Sequence, residues 1–98
     1  MAKEKRIGSS YYRLLSCHRY FTFKTGKDKD EYLLLDVKND QGEITFILVD
    51  NQKSEPIEMY NPETSVYKIP LKRETKYILT IRADHAYGHY ILTKIIED

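Results

Sequence analysis

The sequence predicts an all-β domain, a single antiparallel, jelly-roll-like β-sandwich of seven or eight strands. Three observations carry that expectation. Short apolar runs recur about every ten residues with turn chemistry between them, which is the spacing of sandwiches and small barrels and not of βαβ units. Within the runs, apolar residues alternate with period two, whereas a helix would repeat them at three- and four-residue spacing. The runs are also enriched in β-branched and aromatic types, which fit a pleated, half-buried surface.

In chain order, residues 1–10 are mostly charged or small and read as a disordered basic arm, followed by one domain over 11–98. Residues 11–18 are compatible with a short helix capped by Ser9 or Ser10 or with a strand alternating Tyr12, Leu14 and Ser16; the extended reading is favoured. Tyr20–Lys24 is a clearer strand, stopped by Gly26 and the charges of 27–30. Glu31–Lys38 sends Leu33, Leu35 and Val37 inward. Asn39–Gly42 reads as a hairpin turn in which Gly42 takes positive φ. Glu43–Asp50 is apolar on both faces and is expected at the centre of the sheet.

Beyond a turn at 50–54, Pro56–Tyr60 is a short strand and Asn61–Ser65 a break. Val66–Leu71 puts Tyr67, Ile69 and Leu71 on one face. Because Pro70 has no N–H to give a central ladder, this strand belongs at an edge or carries a bulge. Lys72–Thr75 turns into Thr75–Ala83, with Tyr77, Leu79, Ile81 and Ala83 inward and Lys76, Ile78, Thr80 and Arg82 outward. Asp84–Gly88 reads as a loop, and His89–Ile96 closes the fold. The expected core is Leu33, Leu35, Val37, Phe46, Leu48, Tyr77, Leu79 and Ile81.

The runs Tyr20–Phe23, Tyr32–Val37, Ile44–Asp50, Lys76–Ile81 and Gly88–Thr93, in that order, resemble the bacterial pre-peptidase C-terminal domains over about three-quarters of the chain. The resemblance implies a small jelly-roll-like sandwich. Members of that family are usually appended to secreted enzymes and often carry an acidic run before the strand that here starts at Glu43, where this chain has Gln41-Gly42-Glu43.

Ninety-eight residues leave room for one core. Cys17 is the single cysteine, so no intrachain disulfide framework exists, and the fold must stand on packing. The basic start is not followed by the apolar run of a signal peptide, and no stretch is apolar for long enough to span a membrane as a helix, so a cytoplasmic protein is expected. Charge is uneven: eight Lys/Arg stand against two Asp/Glu in residues 1–29, two against nine in 30–65, and six against four in 66–98. A solvated surface with a basic tail accounts for this distribution, and opposed patches of this kind can also align a partner.

The densest group of functional side chains is Asp84, His85, Tyr87, His89 and Tyr90. Asp84, His85 and His89 are ligand types that zinc accepts, but a structural zinc site needs four ligands, and only Cys17 and His18, far away in sequence, are at hand to complete it. A surface hairpin with titrating imidazoles accounts for the cluster without a metal. Cys17 lacks the context that activates a thiol, no Gly-rich phosphate loop exists, and no carboxylate pair stands out. The sequence therefore reads as non-catalytic, with no cofactor.

Nine tyrosines and no tryptophan are an unusual aromatic balance; ordinary rim packing accounts for rings near turns or strand ends, and binding is their natural use where several share one patch. Tyr11, Tyr12, Tyr20, Tyr60, Tyr87 and Tyr90 lie near turns or strand ends, whereas Tyr32, Tyr67 and Tyr77 are expected to pack. The expected function is binding of a macromolecule, foremost another protein, through Asp84, His85, Tyr87, His89 and Tyr90. Carbohydrate or single-stranded nucleic acid is the alternative, the latter because Arg13, Arg19, Lys24, Lys27 and Lys29 interleave with Tyr20, Phe21 and Phe23. The acidic middle third opposes the field that nucleic-acid binding requires.

Overall fold

The computed structural model describes residues 3–52, 55–60 and 65–97, the side chains of 9–17, 60 and 65 excepted. Residues 61–64 of the break read over Asn61–Ser65, and the side chains of Tyr11, Tyr12, Cys17 and Tyr60, lie outside the described residues, while the Ser65 backbone already belongs to a strand. Among the described residues five strands form one antiparallel sheet: β1 (Lys3–Lys24), β2 (Glu31–Asp50), β3 (Ile57–Tyr60), β4 (Ser65–Leu71) and β5 (Lys76–Ile96). β5 lies between β1 and β2. The far edge of β2 is shared, with β4 along Glu31–Val37 and β3 along Thr45–Leu48.

The strand number differs from the expected seven or eight because the chain passes through two expected turns without leaving the sheet. At Asn39–Glu43 and at Asp84–Tyr87 the β2–β5 register shifts, so that Asn39 faces Gly88, Gln41 faces Tyr87 and Glu43 faces Asp84. Extra residues on both strands bulge at the same level, which bends the ladder without ending it. Gly42 does have positive φ, +79°, and Asn39 Nδ2 donates to the Gly42 carbonyl at 3.2 Å. The residues that would close a hairpin here shape a bulge instead.

The bulges also keep one face inward. In β2 the buried residues are Leu33, Leu35 and Val37, then Ile44, Phe46 and Leu48; in β5 they are Tyr77, Leu79, Ile81 and Ala83, then Ala86, Tyr90 and Leu92. Odd positions give way to even ones at each bulge, because the extra residue restores the face that simple alternation would lose. All eight expected core residues are buried. Tyr67, Ile69 and Leu71 pack against this core as a set, and β4, with Pro70, lies at an edge.

Side chains half a strand apart meet in the core. Phe46 and Tyr90 make an edge-to-face contact at 5.9 Å, and Tyr90 makes a second with Phe21 at 6.3 Å. Residues 3–10, expected as a disordered arm, form the beginning of β1, with Arg6 facing Thr93 and Gly8 facing Leu92. The physical reason lies in Ile7, which packs on the core, and in Gly8, over which the Phe21 ring sits so closely that a Cβ there would stand 2.5 Å from it. Residues 11–18, the ambiguous segment, are strand throughout.

One end of the molecule is tied by polar contacts. Thr25 N donates to the Thr75 carbonyl at 2.9 Å, Thr75 N donates to Thr25 Oγ1 at 3.0 Å, and Glu74 N donates to the Gly26 carbonyl at 3.0 Å. Glu31, inward-facing and buried, accepts the Gly26 N–H, and the Lys94 ammonium lies 3.0 Å from its other oxygen, an electrostatic contact and not a directed hydrogen bond. Lys94 also donates to the Lys24 carbonyl at 2.9 Å.

Candidate functional site

The expected recognition cluster is split by the fold. Asp84 and His85 sit on the bulge of β5, exposed, with Asp84 Oδ1 2.6 Å from His85 Nδ1. His85 holds a left-handed φ of 51°, which costs a non-glycine residue some stability and follows from the bulge. Tyr87 and His89 project outward two residues apart, Tyr87 exposed and His89 half-buried. Tyr90 points the other way. Only 3% of it is exposed, its ring is held between Phe21 and Phe46, and it cannot present itself to a partner. The structure thus pairs Asp84 with His85, keeps Tyr87 and His89 on one outer face, and removes Tyr90 from any surface site.

Among the described residues no group of three or more His, Cys, Asp or Glu side chains is arranged to hold a metal ion. No helix there is long and apolar enough to cross a membrane.

A more concave site lies at the other end of β5. Where β1, β5 and β2 run side by side, a groove of about 510 Å³ is lined by residues 22–24, 76–78 and 49–51. Tyr77 and the Asp50 carboxylate, which point inward at this level, are buried, so the groove opens on the outer face. Its apolar floor is Ile78, 47% exposed, beside Val49 and Thr22, which flank Ile78 across both ladders. Tyr20, 70% exposed, stands diagonally from Ile78 on the same face. Diagonal neighbours are within reach of an aromatic side chain, so ring and aliphatic floor form one surface.

The chain matches no protein-family model and no curated protein sequence. Function is therefore read from the chemistry of the surface itself.

Lys24 and Lys76 face each other across the β1–β5 ladder at one end of the groove. Asn51 braces that end, its N donating to the Lys76 carbonyl at 3.0 Å and its Oδ1 accepting from Lys76 N at 3.3 Å. The Asp50 carboxylate, next to Asn51 in sequence, is engaged by Lys72 Nζ at 3.3 Å and by Gln52 N at 2.8 Å. Below the groove, Phe23 and Tyr77 stack at 5.4 Å, and the Tyr77 hydroxyl accepts from Lys72 N at 2.8 Å, which stiffens the strand ends. An apolar floor with two ammonium groups at one end can bind an amphipathic group. It holds no nucleophile paired with a base.

Sequence reasoning passed over this site because it is spread over three strands. One signal was available: Ile47, Val49 and Ile78 are aliphatics on the outward face of strands whose inward face is already apolar. The remaining step, that pairing brings Val49 and Ile78 side by side, is not written in any one segment.

Proposed function

We propose that this protein is a non-catalytic binding module whose sheet closes on itself as a two-layered, jelly-roll-like sandwich, and that another protein docks on the outer face of β1, β5 and β2 around Ile78. The sandwich reading is supported by the contact of Phe46 with Tyr90 and of Gly8 with Phe21, each joining opposite halves of the long strands. It is also supported by a Cα envelope only 16 Å thick, in keeping with two sheets about 10 Å apart plus their twist. The likeness to pre-peptidase C-terminal domains implies the same arrangement.

The observation that carries the functional reading is Ile78, a half-exposed aliphatic on the central strand, set in a groove beside Val49 and next to the exposed ring of Tyr20. Aromatic and aliphatic side chains held on a rigid sheet lose little entropy on binding and are the usual anchors of protein interfaces. The test is amide hydrogen exchange with and without a partner isolated from the native host. Protection of Tyr20–Lys24 and Lys76–Thr80 is expected; protection confined to Asp84–Tyr90 would move the interface back to the bulge.

The same ring supports a second reading, since Tyr20 lies between His18 and Thr22 on an outer face that also carries Lys24 and Arg82, as a platform for single-stranded nucleic acid would. Salt separates the two. Phosphate-driven binding weakens by orders of magnitude as salt rises, whereas an apolar protein interface persists.

A further inference from the structure

Resting on the protein-docking reading, we infer that the groove takes an extended partner segment in which an acidic side chain neighbours apolar ones, the carboxylate bridging Lys24 and Lys76 while the apolar residues cover Ile78 and Val49. Like charges directly opposite on a ladder repel, and Lys24 and Lys76 are in register. Among the described residues neither ammonium is in an ion pair, and Asp50 is turned to Lys72. An incoming carboxylate relieves the repulsion, and its hydrogen bonds to cationic donors are of the stronger, charge-assisted kind.

A second copy of this chain is the poorer occupant. A two-fold axis through the face between Ile78 and Thr80 would set Lys24 and Lys76 of one copy against Arg82 and His18 of the other, bringing cation against cation, and an isologous interface must be complementary to itself. The surface discriminates by repelling cationic segments as well as by attracting acidic ones. At about 510 Å³ the groove falls within the usual range of ligand sites, with room for a few side chains.

The test uses the full chain and three capped octapeptides that alternate valine with glutamate, with lysine or with serine, titrated while backbone amide signals are followed. The glutamate peptide is expected to shift Thr22, Val49 and Ile78 saturably and to bind about tenfold more tightly than the serine peptide. In the double variant Lys24→Glu, Lys76→Glu the preference should pass to the lysine peptide. The acid assignment is overturned if glutamate and serine peptides bind the same amides equally, or if charge reversal leaves the preference unchanged; docking at the groove survives either result. The docking reading itself is overturned if no peptide shifts these amides and Ile78→Asp leaves the affinity of the isolated partner unaltered.

Discussion

Gly42 and His85 occupy facing bulges in β2 and β5, and the His85 carbonyl oxygen stands too close to the ideal Cβ position of residue 42 for a side chain to begin there. Both partners of that approach are backbone, so neither can swing aside. With φ at +79°, position 42 also lies in the region where only glycine is unstrained. Gly42→Ala is expected to cost on the order of 3 kcal/mol, combining left-handed strain with overpacking. Chemical denaturation measures it, and a change within about 0.5 kcal/mol, the size of an ordinary surface substitution, would show that the bulges are not locked together.

The start of β1 supplies a second expectation. Removing residues 1–8 takes away Ile7 and uncovers the Phe21 ring beneath Gly8. Loss of about 2 kcal/mol follows from the apolar surface exposed. A truncated chain melting at the same temperature as the whole would return this segment to the status of an unattached arm.

Adjacent residues on β5 should respond in opposite ways. Leu79 is fully buried and Ile78 is half exposed. Leu79→Ala is expected to cost about 2–5 kcal/mol, as large-to-small changes in cores do, and Phe46→Ala about 3–5. Ile78→Ala should cost no more than about 1 kcal/mol, because only part of its side chain is removed from water. Comparable losses at 78 and 79 would mean that the outer face is covered from within the chain.

Glu31 and Lys94 form a charged pair in which the side chains keep only 4% and 13% of their exposure. Truncating one member strands the other in a poorly solvated place. Lys94→Ala is therefore expected to cost about 3 kcal/mol, and Glu31→Leu combined with Lys94→Leu less than the sum of the two single changes. Additive losses in this double-mutant cycle would show that the two charges act independently.

The sequence was most legible where one face alternates against water. Leu33, Leu35 and Val37, or Tyr77, Leu79 and Ile81, announce both strand and orientation, and Pro70 announces an edge. It was least legible where pairing decides. Asn39–Gly42 carries the residues of a hairpin turn, and a bulge wants the same glycine with the same φ; only the opposing strand, where Gln41 faces Tyr87, distinguishes them. The extra residue at Asp84–Ala86 then reverses the alternation, so Tyr90 goes to the core while Tyr87 and His89 stay outside. Lys3–Ser10 has little apolar content because it is an edge strand, and its ladder partners, Ile96 to Tyr90, lie at the other end of the chain. The groove has no local signature for a related reason, since Thr22, Val49 and Ile78 become neighbours only through the ladder.

The most direct measurement is the affinity of the isolated partner for two double variants prepared side by side, each first shown to melt like the parent. Tyr20→Ser with Ile78→Asp should lower affinity by at least about a hundredfold, the loss of two interface anchors. Tyr87→Ala with His89→Ala should leave affinity within about twofold, the scale of contacts that contribute little to binding. Undiminished affinity in the first variant, with a large loss in the second, would contradict docking on the outer face around Ile78 and assign recognition to the bulged end of β5.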